Sequence, residues 1–168
     1  MSLDIFAADE QSAIEIDVDR WATLARAALE AEGILADTEV SLLFVDEATI
    51  ASLNEQFLGK SGPTDVLSFP IDDEQERSGR FPDQGGSGPP TVEGGADHPL
   101  LLGDIVICPT VAERNAVDHG VSLEDEIALL VVHGVLHLLG MDHEVDAEAE
   151  RMERREQQLL NRYHRGTK

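Results

Sequence analysis

Apolar positions along the chain switch between two periods, and the switches mark the elements. "SAIEIDV" (Ser12–Val18) alternates and is rich in Ile and Val, which predicts a strand. "DRWATLARAALEAEG" then changes to helical spacing: Trp21, Leu24, Ala25, Ala28 and Leu29 share one face, and Gly33 is a natural stop. "EVSLLFV" (Glu39–Val45) reads as a second strand. "DEATIASLNEQF" predicts a helix with Asp46 as N-cap and Ile50, Leu53 and Phe57 turned inward. "VLSFPI" is a short strand whose Pro70 lacks an N–H, so it belongs at an edge or a strand end.

Composition changes between residues 72 and 99, "DDEQERSGRFPDQGGSGPPTVEGGADHP". The stretch is rich in Gly, Pro and acid and has little to bury, so it predicts a mobile surface loop rather than a boundary within a single domain of residues 1–168. "LLGDIVIC" (Leu101–Cys108) resumes the core as a buried strand. "PTVAERNAVDHG" predicts a short helix with Pro109 near its first position and Gly120 after its end. Ser122, with Asp125 three residues on, has capping-box spacing. From Ile127 to Leu139 the chain is apolar almost all round, broken only by His133, Gly134 and His137; such a helix is buried on most sides, and Gly140 ends it. The last segment is a helix with Met152, Leu159, Leu160 and Tyr163 as its apolar stripe. Strands mixed with helices, then consecutive helices, predict an α+β domain.

The two imidazoles inside that buried helix change the picture. His133 and His137 stand at i and i+4, so both rings leave one face about a turn apart. Ring nitrogens away from water need partners, and a metal satisfies both rings at once. Gly140 lets the backbone reverse and brings His143 toward the same point. Three histidines plus water make a tetrahedral zinc site with one open position, the form a catalytic metal takes. Zinc proteases carry glutamate directly after the first histidine; here that position is Gly134. Zinc lowers the pKa of water it binds to about 7, so a separate base is helpful rather than compulsory. RNA also brings its own nucleophile, the 2′-hydroxyl. The missing glutamate therefore argues against peptide hydrolysis more than against RNA cleavage.

Composition narrows the setting. The chain has 168 residues, 42% of them hydrophobic, enough for a domain with its own core. No apolar run reaches membrane-spanning length, the opening "MSLDIFAADEQ" lacks the pattern of a signal peptide, and Cys108 as sole cysteine allows no internal disulfide. These features point to the cytoplasm. Cys108 reads as a small core residue, and His98, His119 and His164 as solvated. There are 34 acids against 12 bases, a formal net charge of −22, which repels nucleic acid at long range. Six of the twelve bases follow His143, interleaved with six acids, and read as a solvated helix face. "GKSGPTD" before a strand has the residues of a turn but not the spacing of a P-loop.

"HGVLHLLGMDH", preceded by "LGDIVIC" and "GPTDVLSFP", resembles the YbeY family of bacterial rRNA-maturation endoribonucleases. The likeness runs from about Leu42 to the C-terminus, apart from residues 72–99. It implies a zincin-like α+β fold with a mixed four-stranded sheet, a buried metal-binding helix, and one zinc per chain on His133, His137 and His143. It also implies a single-strand-specific endoribonuclease acting in 16S rRNA 3′-end maturation and ribosome quality control. Single-stranded rRNA is then the substrate, with the small ribosomal subunit and assembly factors as partners and no membrane. Family members often carry arginine where this chain has Leu58. Lys60 is left as the cation of that loop, a candidate for both catalysis and substrate contact. Thr64 and Ser68 of the same motif are further candidate substrate contacts, and Asp142 a candidate catalytic group. Two rival classes remain open: a zincin-like peptidase with its base at Asp142 or Asp65, and a ribosome-assembly binding factor whose zinc is mainly structural.

Overall fold

A computed structural model describes residues 3–34, 37–70, 100–141 and 146–164. Among these are four strands, β1 (Leu3–Asp9), β2 (Thr38–Phe44), β3 (Val66–Pro70) and β4 (Leu100–Ile107). There are five helices, α1 (Val18–Ala31), α2 (Glu47–Leu58), α3 (Pro109–His119), α4 (Leu123–Leu138) and α5 (Asp146–Tyr163). The sheet order is β1-β2-β4-β3, with β1, β2 and β4 parallel and β3 antiparallel on the edge beside β4. The architecture is α+β around a mixed four-stranded sheet. No helix among the described residues is long and apolar enough to cross a membrane.

Alternation sends the side chains of the two central strands into two cores. Val40, Leu42 and Phe44 of β2, with Ile105 and Ile107 of β4, meet α1, α4 and α5 on one face. Val106 of β4, with Val45 and Cys108 just past the strand ends, meets Ile50 of α2, Leu67 of β3 and Val111 of α3 on the other. β2 buries one face completely, through Thr38, Val40, Leu42 and Phe44, and leaves Glu39, Ser41 and Leu43 half-buried on the other, whereas β4 is apolar and buried on both faces at Ile105, Val106 and Ile107. Burial in β4 is complete only from Ile105 onward, since Leu101 is exposed. Cys108 is buried, as its small apolar character predicts.

The helix ends follow the caps read from sequence. Asp46 accepts from the Thr49 N–H at 2.9 Å, Ser122 accepts from the Asp125 N–H at 3.0 Å, and Gly59 and Gly120 close α2 and α3 in left-handed conformation. Trp21, Leu24, Ala25, Ala28 and Leu29 form the buried face of α1 as expected.

Three expectations fail. The strand predicted at Ser12–Val18 is absent; β1 lies earlier, at Leu3–Asp9, paired in parallel with β2. Gln11 explains the difference. Its side-chain amide donates to Asp9 and to the Ile14 carbonyl, and its oxygen accepts from the Ala13 and Ile14 N–H groups. A local turn thus takes backbone groups that a ladder would use, and Asp17 ends it by capping α1. Phe57 is not inward: it is 57% exposed and leans edge-on against Phe69 of β3, centroids 5.3 Å apart. His164 is not solvated. Its side chain is 8% exposed, its Nε2 lies 2.8 Å from Asp125 Oδ1 on α4, and its ring sits 6.2 Å from that of Trp21. The loop expected at residues 72–99 lies outside the described residues.

His119 is half exposed but pairs with a buried carboxylate, its Nδ1 2.9 Å from Oε1 of Glu126. The hydrogen bond to Glu126, and then the charge of that carboxylate, raise the His119 pKa above its ordinary value, with smaller help from Asp118 and Asp65. A pKa raised in the folded state stabilises below the unfolded value, near 6.5, and that contribution fades as pH climbs through the folded value. In urea denaturation, His119→Gln is therefore expected to be most destabilised relative to wild type in weak acid, the deficit shrinking toward alkaline pH. A difference independent of pH would refute the pairing as the cause.

Candidate active site

The site grows from α4. This helix packs against α1, α3, α5, β3 and β4, so its register is fixed from several sides. Ile127, Ala128, Val131, Val132, Val135 and Leu136 are fully or almost fully buried. His133 and His137, each half-buried, leave the remaining face with ring centroids 4.5 Å apart and planes at 76°. The pair expected from the i, i+4 spacing is thus brought together. Two imidazoles so placed could hold one metal between them.

The helix ends directly after the second histidine. Gly140 takes φ +95°, its N–H donates to the His137 carbonyl at 3.0 Å, and the Met141 N–H donates to the Leu136 carbonyl at 3.0 Å. This double closure ends the helix, as the glycine predicts. Asp142 and His143 come next and lie outside the described residues. Among the described residues no group of three or more His, Cys, Asp or Glu could hold a metal.

Gly134 answers why no glutamate follows His133. One residue on, the helix has turned about 100°. A Cβ built there would stand 2.7 Å from Ile105 Cγ2 and 3.2 Å from Cγ1. α4 therefore lies so close to β4 that position 134 has no room for a side chain. A carboxylate here would point into the sheet. Gly103 permits a second close approach: its φ is +146°, and a Cβ on it would meet the Phe69 carbonyl at 2.4 Å and Leu138 Cδ2 at 2.7 Å.

The edge strand carries the second motif to the same place. Ser68 pairs in register with Ile105, the residue that closes on Gly134, and its Oγ donates to the Gly134 carbonyl at 3.4 Å. Ser68 is thereby set one residue from His133. The loop before β3 is held from below: buried Asn54 donates to the Gly62 carbonyl at 3.0 Å, Asp65 accepts from Asn115 at 3.1 Å, and the Asp65 carbonyl accepts from the Cys108 N–H at 2.9 Å. Thr64 is half-buried and donates to Asp65 at 3.4 Å. Lys60 is exposed just beyond the left-handed Gly59, its N–H donating to the Asn54 carbonyl. Asp65, a candidate base in the peptidase alternative, is thus committed to Asn115 and Thr64.

One residue escaped the sequence reading. Glu156 of α5 lies 2.5 Å from His133 Nδ1 through its Oε2, and its side chain is only 7% exposed. The signal was present: Glu156 occupies the same stripe as Met152, Leu159 and Leu160, where an apolar residue belongs.

The class is set by these features together: an α+β domain with a histidine pair on a buried helix beside an edge strand that brings Ser68 to the Gly134 carbonyl. The profile of the family described as Endoribonuclease YbeY matches residues 6–164. The chain is 40% identical over 163 residues to the endoribonuclease YbeY of Pelotomaculum thermopropionicum, covering 95% of this chain and 97% of that one. To the endoribonuclease YbeY of Thermobifida fusca it is 39% identical over 165 residues, covering 98% and 96%. The solution structure of TM1509 from Thermotoga maritima has the same fold, with a TM-score of 0.55 at 24% identity over 97% of this chain and 93% of that one. The chain belongs to the YbeY family.

Proposed function

We propose that this protein is a zinc-dependent endoribonuclease that cuts single-stranded RNA. Its substrate is rRNA, cut in maturing the 3′ end of the 16S molecule and in ribosome quality control, in the cytoplasm, with the small subunit and assembly factors as partners. The observation that carries the reading is the His133–His137 pair with position 134 closed against Ile105, in a chain of this family.

The donor set fits the metal: neutral imidazoles suit zinc, and the pair stands on a helix whose burial keeps it in place. In the proposal His133, His137 and His143 hold one zinc per chain. Bound zinc supplies Lewis acidity toward a phosphate oxygen and eases deprotonation of the attacking hydroxyl. The chain's own residues do the rest. Ser68, set against the Gly134 carbonyl, and Thr64, on a loop pinned by Asn54 and Asp65, present polar groups to the strand of RNA. Lys60 supplies the cation that Leu58 does not. Asp142, directly before His143, is the group proposed to accept a proton.

A net charge of −22 opposes RNA at long range, yet screening confines that repulsion to about 8 Å at physiological salt. Local cations then decide the approach. The peptidase alternative loses ground at Gly134, since a base in the usual place has no room. Incubating the protein with single-stranded RNA and, separately, with casein tests the reading. RNA cleavage that a chelator abolishes is expected. Chelator-sensitive proteolysis without RNA cleavage would overturn it.

A further inference from the structure

We infer that Glu156 is a positioning residue for His133: its carboxylate selects the tautomer protonated on Nδ1 and so leaves the lone pair on Nε2, the atom a metal would take. The first half rests on geometry alone; the second rests on the zinc reading proposed above. Glu156 reaches His133 from another helix, twenty-three residues later, at 2.5 Å. It does so from a place that costs stability unless it is used. Met152, Leu159 and Leu160, on the same stripe of α5, are buried in the main core, and a carboxylate among them must be paired to be tolerated. Among the described residues no buried side-chain nitrogen or oxygen lacks a partner, and for Glu156 the partner is the imidazole.

The chemistry of the contact fixes its direction. A carboxylate offers only acceptors, so the ring nitrogen facing it carries the hydrogen. An imidazole protonated on Nδ1 has its lone pair on Nε2, the form in which histidine binds zinc through that atom. Glu156 also prevents the ring from turning, because the short contact holds Nδ1 on the α5 side. A purely structural stitch between α4 and α5 would need the hydrogen bond but would be indifferent to which nitrogen faces a metal.

The two roles separate in experiment. Label the protein with ¹⁵N, remove metal with a chelator, and record ring-nitrogen correlations about two pH units above the ordinary histidine pKa of about 6.5. Wild type is expected to show His133 protonated on Nδ1. Glu156→Gln, whose amide oxygen still accepts, is expected to keep that tautomer. Glu156→Leu fills the stripe without an acceptor and is expected to shift the ring toward the Nε2-protonated form. Competition for zinc with a chromophoric chelator is expected to show affinity about 10–100-fold weaker in Glu156→Leu, with most of the loss restored in Glu156→Gln. His133 protonated on Nε2 in wild type would overturn the inference. So would a folded Glu156→Leu protein with wild-type tautomer and zinc affinity. Should Glu156→Leu fail to fold, the wild-type tautomer and the Glu156→Gln affinity still decide. Wild type that binds no zinc but shows the Nδ1 tautomer would sink the zinc reading and the metal half of the inference, and sustain the orienting contact.

Discussion

His137→Ala is expected to reduce bound zinc from about one per chain to a small fraction, and to lower single-stranded RNA cleavage by at least about 100-fold. The lower bound comes from the usual cost of losing a partner behind a ligand, which losing the ligand itself should exceed. The variant should remain folded. His137 stands in the last turn of α4, where Gly140 and Met141 close the helix through backbone groups that alanine keeps. Alanine is also the better helix former. The ring is half-buried rather than central to the core, so unfolding in excess chelator should change by no more than about 1 kcal/mol. Metal alters that comparison. If the zinc reading holds, zinc at 100 times its dissociation constant should stabilise the folded wild type by about 2.7 kcal/mol, and the variant should lose this increment. Elemental analysis, thermal unfolding with and without zinc, and cleavage of a short RNA read the three effects. Full zinc occupancy together with wild-type cleavage in His137→Ala would remove the histidine pair from the site.

Much of this was legible because period and burial coincide. The stripes of α1 and α5 and the almost wholly apolar α4 appear in the structure where the sequence places them, since a helix that buries one face or all faces must show it in its spacing. Pro70 marked an edge strand for a local reason, the missing donor, and β3 is an edge. What failed depended on partners that spacing does not reveal. Ser12–Val18 alternates, but the side chain of Gln11 had already claimed the local backbone groups. Phe57 has helical spacing toward the core, but Phe69 meets it at the rim. His164 looked solvated until α5 laid it against Asp125 and Trp21. In the site, two of the proposed ligands could be read from i, i+4 spacing, whereas Ser68 beside Gly134 and Glu156 beside His133 come from contacts across 66 and 23 residues. The closeness of α4 to β4 at Gly134 was equally hidden, because a glycine within an apolar run does not state which neighbour requires it.

Restoring the protease pattern by Gly134→Glu is expected to unfold the protein rather than create a peptidase. The helix retains glycine at a cost of about 0.5–1 kcal/mol relative to alanine, so something outweighs propensity there. That something is Ile105, whose Cγ2 lies 2.7 Å from where the first side-chain atom would be. Ile105 cannot retreat easily: it is fully buried in β4, between β2 and β3. Even Gly134→Ala should therefore cost about 1–3 kcal/mol by overpacking. Glutamate adds a buried charge with no partner and more atoms to place, so its cost should exceed about 4–5 kcal/mol. Against a typical stability of about 5–15 kcal/mol, much or all of the folded state is then lost. Urea denaturation of Gly134→Ala, Ile105→Ala and the double variant tests the cause. If Ile105 is the obstacle, the double variant should be less destabilised than the sum of the singles, because the methyl introduced at 134 occupies space that Ile105 vacates. Additive costs, or Gly134→Ala within about 0.5 kcal/mol of wild type, would refute the steric account. A folded Gly134→Glu protein that cleaves casein would refute both that account and the preference for RNA built upon it.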